Sequence, residues 1–176
     1  MFLYLVYLIV FFLLASLAYA ASRGAPWVPT WKRDIARLLP LLNLKPGQKM
    51  YELGCGDGRV CLAAAKGNGA EIVGVELSFL QWAIAELTRR LKGIRNARFV
   101  WGDIFKQDLS DADVVYIFLM PKFYEKLRPK FQKELRPGAR VVSYVWPIVG
   151  WNPLVVDEIA GESKIYVYEI PQAYRC

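Results

Sequence analysis

The residues best placed to do chemistry are a run of glycines bounded by two carboxylates. Glu52 ends an apolar strand, and glycine then stands at every second position from Gly54 through Gly56 to Gly58. Glycines spaced in this way let the backbone turn tightly and leave no side chain between it and a ligand. Glu76 ends a second apolar strand eighteen residues after Gly58, where a carboxylate can accept hydrogen bonds from two ribose hydroxyls. The spacing predicts a site for a nucleoside cofactor.

A dinucleotide such as NAD is one cofactor that a glycine loop of this kind can bind. A dinucleotide fingerprint needs glycine at its first, third and sixth positions, but the sixth position counted from Gly54 is Arg59. This departure disfavours NAD. A tight strand-to-helix turn without any ligand is the alternative, and the carboxylate at Glu76 disfavours that as well.

The N-terminal segment is apolar enough to cross a membrane. Residues 1–22 contain no charged side chain, and the apolar run from Phe2 to Ala21 spans roughly 30 Å as a helix. A cleaved signal peptide is the alternative, because Ala18-Tyr19-Ala20 resembles a cleavage site; no basic residue precedes the run, however. We expect an uncleaved anchor, with the domain that follows on the cytoplasmic side because basic residues begin only at Arg23.

Composition excludes several kinds of chemistry. The 176 residues include no histidine, which rules out Ser-His-Asp and Cys-His catalysis and any imidazole-ligated metal. The cysteines Cys55, Cys61 and Cys176 form no C-x-x-C pair, so we expect neither a disulfide framework nor a metal site. The net charge of +7 fits either solvated helix faces or contact with anionic lipid headgroups, and nucleic-acid binding is disfavoured.

Beyond the anchor, strands alternate with helices, which predicts an α/β fold with a parallel sheet covered on both faces. The last two strands follow one another without a helix between them, so we expect an antiparallel edge. Thr30 is expected to cap the first helix, and apolar residues from Leu80 to Leu91 recur at helical spacing. A break or kink is expected at Pro129 in the helix that carries Phe123 and Phe131.

Segments spread over the whole domain form a recognisable set: Pro26-Trp27-Val28-Pro29-Thr30, Glu52–Arg59, Gly74-Val75-Glu76, Gly102-Asp103-Ile104-Phe105, Asp108-Leu109-Ser110, 135–143 and Gly150-Trp151-Asn152-Pro153. Together they resemble one branch of the seven-β-strand S-adenosylmethionine (SAM) methyltransferases. That branch holds archaeal broad-specificity protein-lysine methyltransferases and membrane-anchored mitochondrial enzymes that act on the adenine nucleotide translocase and the ATP synthase c-subunit. The resemblance implies a Rossmann-like class I sheet of seven strands, preceded by one transmembrane helix. It also implies an anchor at 1–22, a lid and first helix at 23–48 and a methyltransferase core at 49–176.

The resemblance also assigns roles toward SAM. Glu52 and the backbone of Gly54 and Gly56 would hold the methionine part, and Glu76 would hold the ribose. Asp103 would accept from the adenine amino group, while Ile104 packs on the ring. Pro29 and Thr30 match a lid segment over the cofactor, and the remaining cofactor-binding candidates are Cys55, Gly58 and Phe118.

The acceptor site departs from related enzymes. Phe118-Leu119-Met120-Pro121 stands where amino-methylating enzymes of other branches have Asn or Asp followed by two prolines. No catalytic residue is assigned, because the methyl group is already activated and the enzyme needs only to align a neutral amine. An apolar channel disfavours the charged amine. The candidates for that channel are Trp27, Thr30, Tyr116, Phe118, Tyr144 and Trp146. Any of them can instead be a core residue, and for Phe118, inside an apolar strand, the core is the favoured interpretation.

The resemblance therefore implies a membrane-tethered enzyme that methylates lysine side chains of proteins, with membrane proteins among the expected targets. Two alternatives stay open. One is a methyltransferase for small molecules or lipids at the membrane, and the other is a SAM-binding module without turnover.

Overall fold

A computed structural model describes residues 1–23, 28–67 and 69–171. This part of the chain forms five helices and seven strands. In chain order they are α1 (Phe2–Arg23), α2 (Lys32–Leu42), β1 (Lys49–Leu53), α3 (Arg59–Ala64), β2 (Glu71–Glu76), α4 (Phe79–Leu91), β3 (Ala97–Trp101), β4 (Val114–Ile117), α5 (Pro121–Glu134), β5 (Arg140–Tyr144), β6 (Val155–Asp157) and β7 (Ile165–Glu169).

The strands form one seven-stranded sheet in the order β3-β2-β1-β4-β5-β7-β6. The first five strands by sequence are parallel, while β7 runs antiparallel to both β5 and β6. The predicted parallel sheet with an antiparallel edge is confirmed. Leu53 is level with Val75 in β2 and with Ile117 in β4. The loops that follow these three strands therefore meet at the same edge of the sheet.

Helices cover both faces of the sheet. Met50 in β1 belongs to the core under α2, α3 and α4, whereas Tyr51 and Leu53 both belong to the core on the opposite face, as the alternation of a strand requires. The core on the opposite face is filled from α5 by Phe123, Leu127 and Phe131. Because both faces are covered, the central strand β4 (Val114–Ile117) is apolar and buried along its whole length.

Two local expectations are wrong. Thr30 does not cap α2: the cap position is Trp31, which makes no side-chain capping bond, and the Thr30 hydroxyl lies 3.2 Å from the Tyr116 hydroxyl instead. Helix α5 continues through Pro129 to Glu134, so the expected break is wrong, while the alternative of a kink stays a prediction. In both places tertiary packing overrides the local preference.

A buried polar cluster joins α2 to the antiparallel edge. The Arg37 guanidinium donates to Asp157 at 2.7 Å, to Glu162 at 2.6 Å and to Asp34 at 3.1 Å. Asp34 is 1% exposed and also accepts from the Tyr144 hydroxyl at 2.6 Å. The clustered charges on these carboxylates raise the pKa of Arg37, although burial opposes them. Arg37 therefore fastens the first helix after the N-terminal segment to the end of the chain.

Helix α1 is apolar along its length and contacts the domain near its C-terminal end. Its span Phe2–Ala20 is long and apolar enough to cross a bilayer. The Ser16 hydroxyl accepts a hydrogen bond of 2.7 Å from the backbone N–H of Phe79, the first residue of α4.

Candidate cofactor site

A cavity of about 590 Å³ lies at the carboxyl edge of the sheet. This is the size of a site for a nucleotide-sized ligand. Its walls come from the loops after β1, β2, β3, β4 and β5, from the segment before α2 and from the end of α1. The residues that line it are Leu17, Ala18, Ala20, Val28, Pro29, Thr30, Glu52, Gly54, Cys55, Gly56, Arg59, Glu76, Leu77, Ser78, Gln81, Asp103, Ile104, Phe118, Leu119, Met120, Val145 and Trp146.

Two buried carboxylates face this cavity. Glu52 is 5% exposed and accepts from the Cys61 N–H at 3.0 Å. Burial raises the pKa of the Glu52 carboxyl to about 8. Glu76 accepts from the backbone N–H of Gly56 at 2.8 Å and of Ser78 at 2.7 Å. Burial raises the pKa of Glu76 as well, and its backbone hydrogen bonds oppose that rise. Glu76 thus joins the glycine loop to the start of α4.

The glycine loop packs closely on the sheet. The N–H groups of Gly54 and Cys55 both donate to the Val75 carbonyl, at 2.8 and 3.1 Å. Gly58 has φ +73°, and a Cβ there would lie 2.5 Å from the Phe99 ring. Gly58 is not among the cavity-lining residues, so the structure gives it a packing role against Phe99. Gly54, Cys55 and Gly56 line the cavity, as their predicted cofactor-binding role requires.

Asp103 and Ile104 follow β3 and line the same cavity. Asp103 Oδ1 accepts from the Phe105 N–H at 2.9 Å, which fixes the carboxylate over the turn. Ile104 is 7% exposed. The structure therefore brings the two residues predicted to contact adenine to the same cavity as Glu76.

The predicted lid segment lines the cavity through Pro29 and Thr30. The Arg59 guanidinium donates to the Thr30 carbonyl at 3.3 Å and to Asp57 at 2.6 Å, so the glycine loop holds this segment in place. Trp27, a candidate for the acceptor channel, lies outside the described residues.

The remaining channel candidates separate into two groups. Phe118 and Trp146 line the cavity, whereas Tyr116 and Tyr144 do not. Tyr116 is fully buried, and its hydroxyl lies against Thr30. The Tyr144 ring packs edge-on against Phe118, with centroids 4.8 Å apart. Both tyrosines therefore support cavity-lining residues from behind.

Three further sets of cavity residues were not predicted from the sequence. Gln81 is 7% exposed, and its Oε1 has no hydrogen-bond partner among the described residues. Its position four residues before the buried Ala85 could have indicated the inward face of α4. Val145 has φ +72°, a strained conformation for a β-branched residue, and no sequence signal marks it. The third set is Leu17, Ala18 and Ala20 of α1.

Similarity to characterised families is extensive. The family model of the ANTKMT methyltransferase domain matches residues 52–155. A protein-lysine N-methyltransferase of Saccharolobus islandicus is 38% identical over 152 residues, which cover 82% of this chain and 93% of that protein. The mouse adenine nucleotide translocase lysine N-methyltransferase is 35% identical over 147 residues, and the match covers 82% of this chain but 63% of that protein.

Solved structures show the same fold. An RNA methyltransferase from Salinibacter ruber, in complex with S-adenosyl-L-homocysteine, has a TM-score of 0.78 and 34% identity, over 82% of this chain and 95% of that one. A SAM-dependent methyltransferase from Geobacter sulfurreducens, also in complex with S-adenosyl-L-homocysteine, has a TM-score of 0.58 and 23% identity, over 71% and 52% of the two chains.

Proposed function

Because this chain belongs to the family of the ANTKMT methyltransferase domain and is therefore a SAM-dependent methyltransferase, we propose that it methylates lysine side chains of proteins while anchored to a membrane. The assignment of lysine as the methyl acceptor rests on the similarity to the archaeal protein-lysine enzyme, which extends over 93% of that protein.

The cavity suits SAM in size and in its polar groups. Bound SAM supplies a methyl group on a positively charged sulfur, which is activated for transfer to a nucleophile. Within the proposal, Glu76 accepts from the ribose hydroxyls, Asp103 accepts from the adenine amino group, and Glu52 faces the methionine part. Pro29 and Thr30 cover the cofactor. The cavity provides these groups on several walls, which fixes the orientation of the ligand.

The acceptor end of the cavity favours an amine. Phe118, Leu119 and Met120 after β4 and Val145 and Trp146 after β5 line the cavity. An amine in these apolar surroundings loses its proton more readily because burial disfavours the charged form. The neutral nitrogen can then attack the methyl carbon as the carbon–sulfur bond breaks. A hydroxyl acceptor would need a general base, and Phe118, Leu119, Met120, Val145 and Trp146 offer none.

The acceptor can be tested with the full chain, radiolabelled SAM and membranes from the same source. We expect the label in protein, with mass spectrometry placing methyl groups on lysine side chains. The Glu76→Gln variant serves as the inactive control. Label in lipid, in a small molecule or in RNA, with every lysine unchanged, would contradict the lysine proposal and favour that other acceptor.

The membrane part of the proposal rests on α1. Its apolar span matches the thickness of a bilayer, and basic residues follow it at Lys32 and Arg33, which favours the cytoplasmic side for the domain. We expect the full chain to stay in the membrane pellet after alkaline extraction. Recovery in the supernatant, or a mature protein that begins at Ala21, would contradict the anchor.

Glu52 makes cofactor binding depend on pH. Its pKa of about 8 leaves the free carboxyl mainly protonated at pH 7. The positive charge on the methionine part of SAM favours the carboxylate and lowers that pKa, so binding releases a proton. Affinity should rise with pH up to about 8, because the ionised fraction of Glu52 rises about fivefold between pH 7 and 8.

Calorimetry at pH 7 in buffers of different ionisation enthalpy measures this release directly. We expect up to one proton released per SAM bound, and none in the Glu52→Gln variant. A wild-type protein that releases no proton would show that Glu52 does not face a positive charge in the complex.

A further inference from the structure

The end of α1 forms part of the cofactor cavity. Leu17, Ala18 and Ala20 line it together with Ser78 and Gln81 from the start of α4. A helix that served only to hold the domain at a membrane would not need to reach this cavity. Membrane anchoring therefore leaves this contact unexplained.

A hydrogen bond fixes α1 against α4. The N–H groups in the first turn of a helix have no partner within the helix. In α4 the Ser78 hydroxyl accepts from the Gln81 N–H, and Ser16 of α1 accepts from the Phe79 N–H at 2.7 Å. By contrast, the hydroxyl of Ser22, also on α1, donates to the Tyr19 carbonyl of its own helix. Ser16 therefore supplies the hydrogen-bond acceptor for the Phe79 N–H, which has no acceptor within α4.

The wall next to this contact also holds an unsatisfied polar atom. Gln81 Oε1 is buried, has no hydrogen-bond partner among the described residues, and belongs to a residue that lines the cavity. Buried polar atoms are normally hydrogen-bonded. A ligand hydroxyl or amino group between α1 and α4 would satisfy it, and Glu76, two residues before Ser78, places the ribose at this end of the cavity.

We propose that the end of α1 is a component of the SAM site, in which Leu17, Ala18 and Ala20 form an apolar wall beside the adenosine part and Ser16 positions that wall on α4. The inference rests on the proposed SAM site described above. It gives the segment two roles, because the residues before Ser16 are left to the membrane while the end of the same helix encloses the cofactor. Cleavage after Ala20 would then open the cavity, so the segment is not a disposable signal sequence.

The proposed wall can be tested by placing a bulky side chain on it, so that the side chain fills part of the cavity. The measurement uses the full chain reconstituted in lipid nanodiscs. We expect Ala18→Trp to weaken the binding of S-adenosyl-L-homocysteine at least tenfold, as measured by calorimetry. Ala15→Trp is the matched control. Ala15 and Ala18 are both exposed alanines of α1, and Ala15 does not line the cavity. Its affinity should stay within twofold of the unaltered chain.

A second measurement does not depend on a bulky substitution. Ser16→Ala should speed hydrogen exchange of the Phe79 amide at least tenfold and weaken cofactor binding, whereas Ser22→Ala should change neither. If Ala18→Trp and Ser16→Ala both behave like their controls, α1 is not part of the site, and the methyltransferase proposal stands without this inference. If the unaltered chain binds no cofactor, the SAM site itself is wrong and the inference is wrong with it.

Discussion

Replacing Glu76 by glutamine should weaken SAM binding at least a hundredfold and reduce methyl transfer to a similar extent. A carboxylate at this position can accept charge-assisted hydrogen bonds from both ribose hydroxyls, each contributing roughly 1.5–3 kcal/mol. An amide offers one acceptor oxygen and no charge. Calorimetry with SAM and a transfer assay measure the two effects.

The structure requires a folding control for this variant. Glu76 also accepts from Gly56 and Ser78, so the amide leaves one buried N–H without an acceptor at a cost of about 1–3 kcal/mol. Denaturant unfolding should therefore accompany the binding measurement. Glu71→Gln, on the same strand but half exposed, is the matched substitution and should leave SAM affinity unchanged. Normal SAM affinity in a folded Glu76→Gln protein would show that the carboxylate is structural only.

Replacing Arg37 by methionine should lower the free energy of unfolding by roughly 2–4 kcal/mol, because it leaves the buried Asp34 and the partly buried Asp157 and Glu162 without their cation. Three acidic residues accept from this one guanidinium, and its side chain is 15% exposed. Methionine keeps the apolar stem, so the change isolates the charge. Denaturant unfolding measures the loss.

Arg33→Met provides the control for Arg37. Arg33 lies on the same helix and approaches Asp34 only to 4.0 Å, and its side chain is 63% exposed. Exposed ion pairs contribute little, so the unfolding free energy should change by less than about 0.5 kcal/mol. Equal losses in the two variants would mean that the cluster around Arg37 does not hold α2 to the antiparallel edge.

The cofactor end of the site was predictable from the sequence because parallel strands bring their carboxyl ends to one edge. Glu52 is the last residue but one of β1 and Glu76 ends β2, and the register of the two strands places these ends together. Asp103 follows β3, the next strand in the sheet. Spacing along the chain predicts the positions of Glu52 and Glu76, whereas the role of Asp103 was implied only by the resemblance to SAM methyltransferases.

The acceptor end was harder to predict because aromatic residues occur in cores and in channels alike. Tyr116 lies inside β4 and Tyr144 ends β5, where side chains point into the helical layers. Phe118 and Trp146 follow those strands and face the cavity. Position relative to the strand end, rather than residue type, separates the two groups.

Helix α4 shows that apolar periodicity predicts a helix but not which of its residues are buried. Its apolar spacing predicts a helix, yet Leu87 and Leu91 are 58% and 79% exposed, whereas Gln81 and Ala85 are buried. The pattern identifies an apolar face and does not say what covers it. The contact of α1 with α4 joins segments some 60 residues apart, and no local pattern encodes such a contact.

The position of β7 sets the order of events while the chain is being made. This strand lies between β5 and β6, so the sheet is incomplete until the last part of the chain is synthesised. About 140 residues separate the end of α1 at Arg23 from Ile165 in β7, which corresponds to roughly 7–28 s of translation. During that interval α1 and the strands under α4, β2 and β3, have been synthesised while the opposite edge of the sheet is unfinished. The apolar helix is therefore available to a bilayer, or to its contact on α4, before the domain is complete.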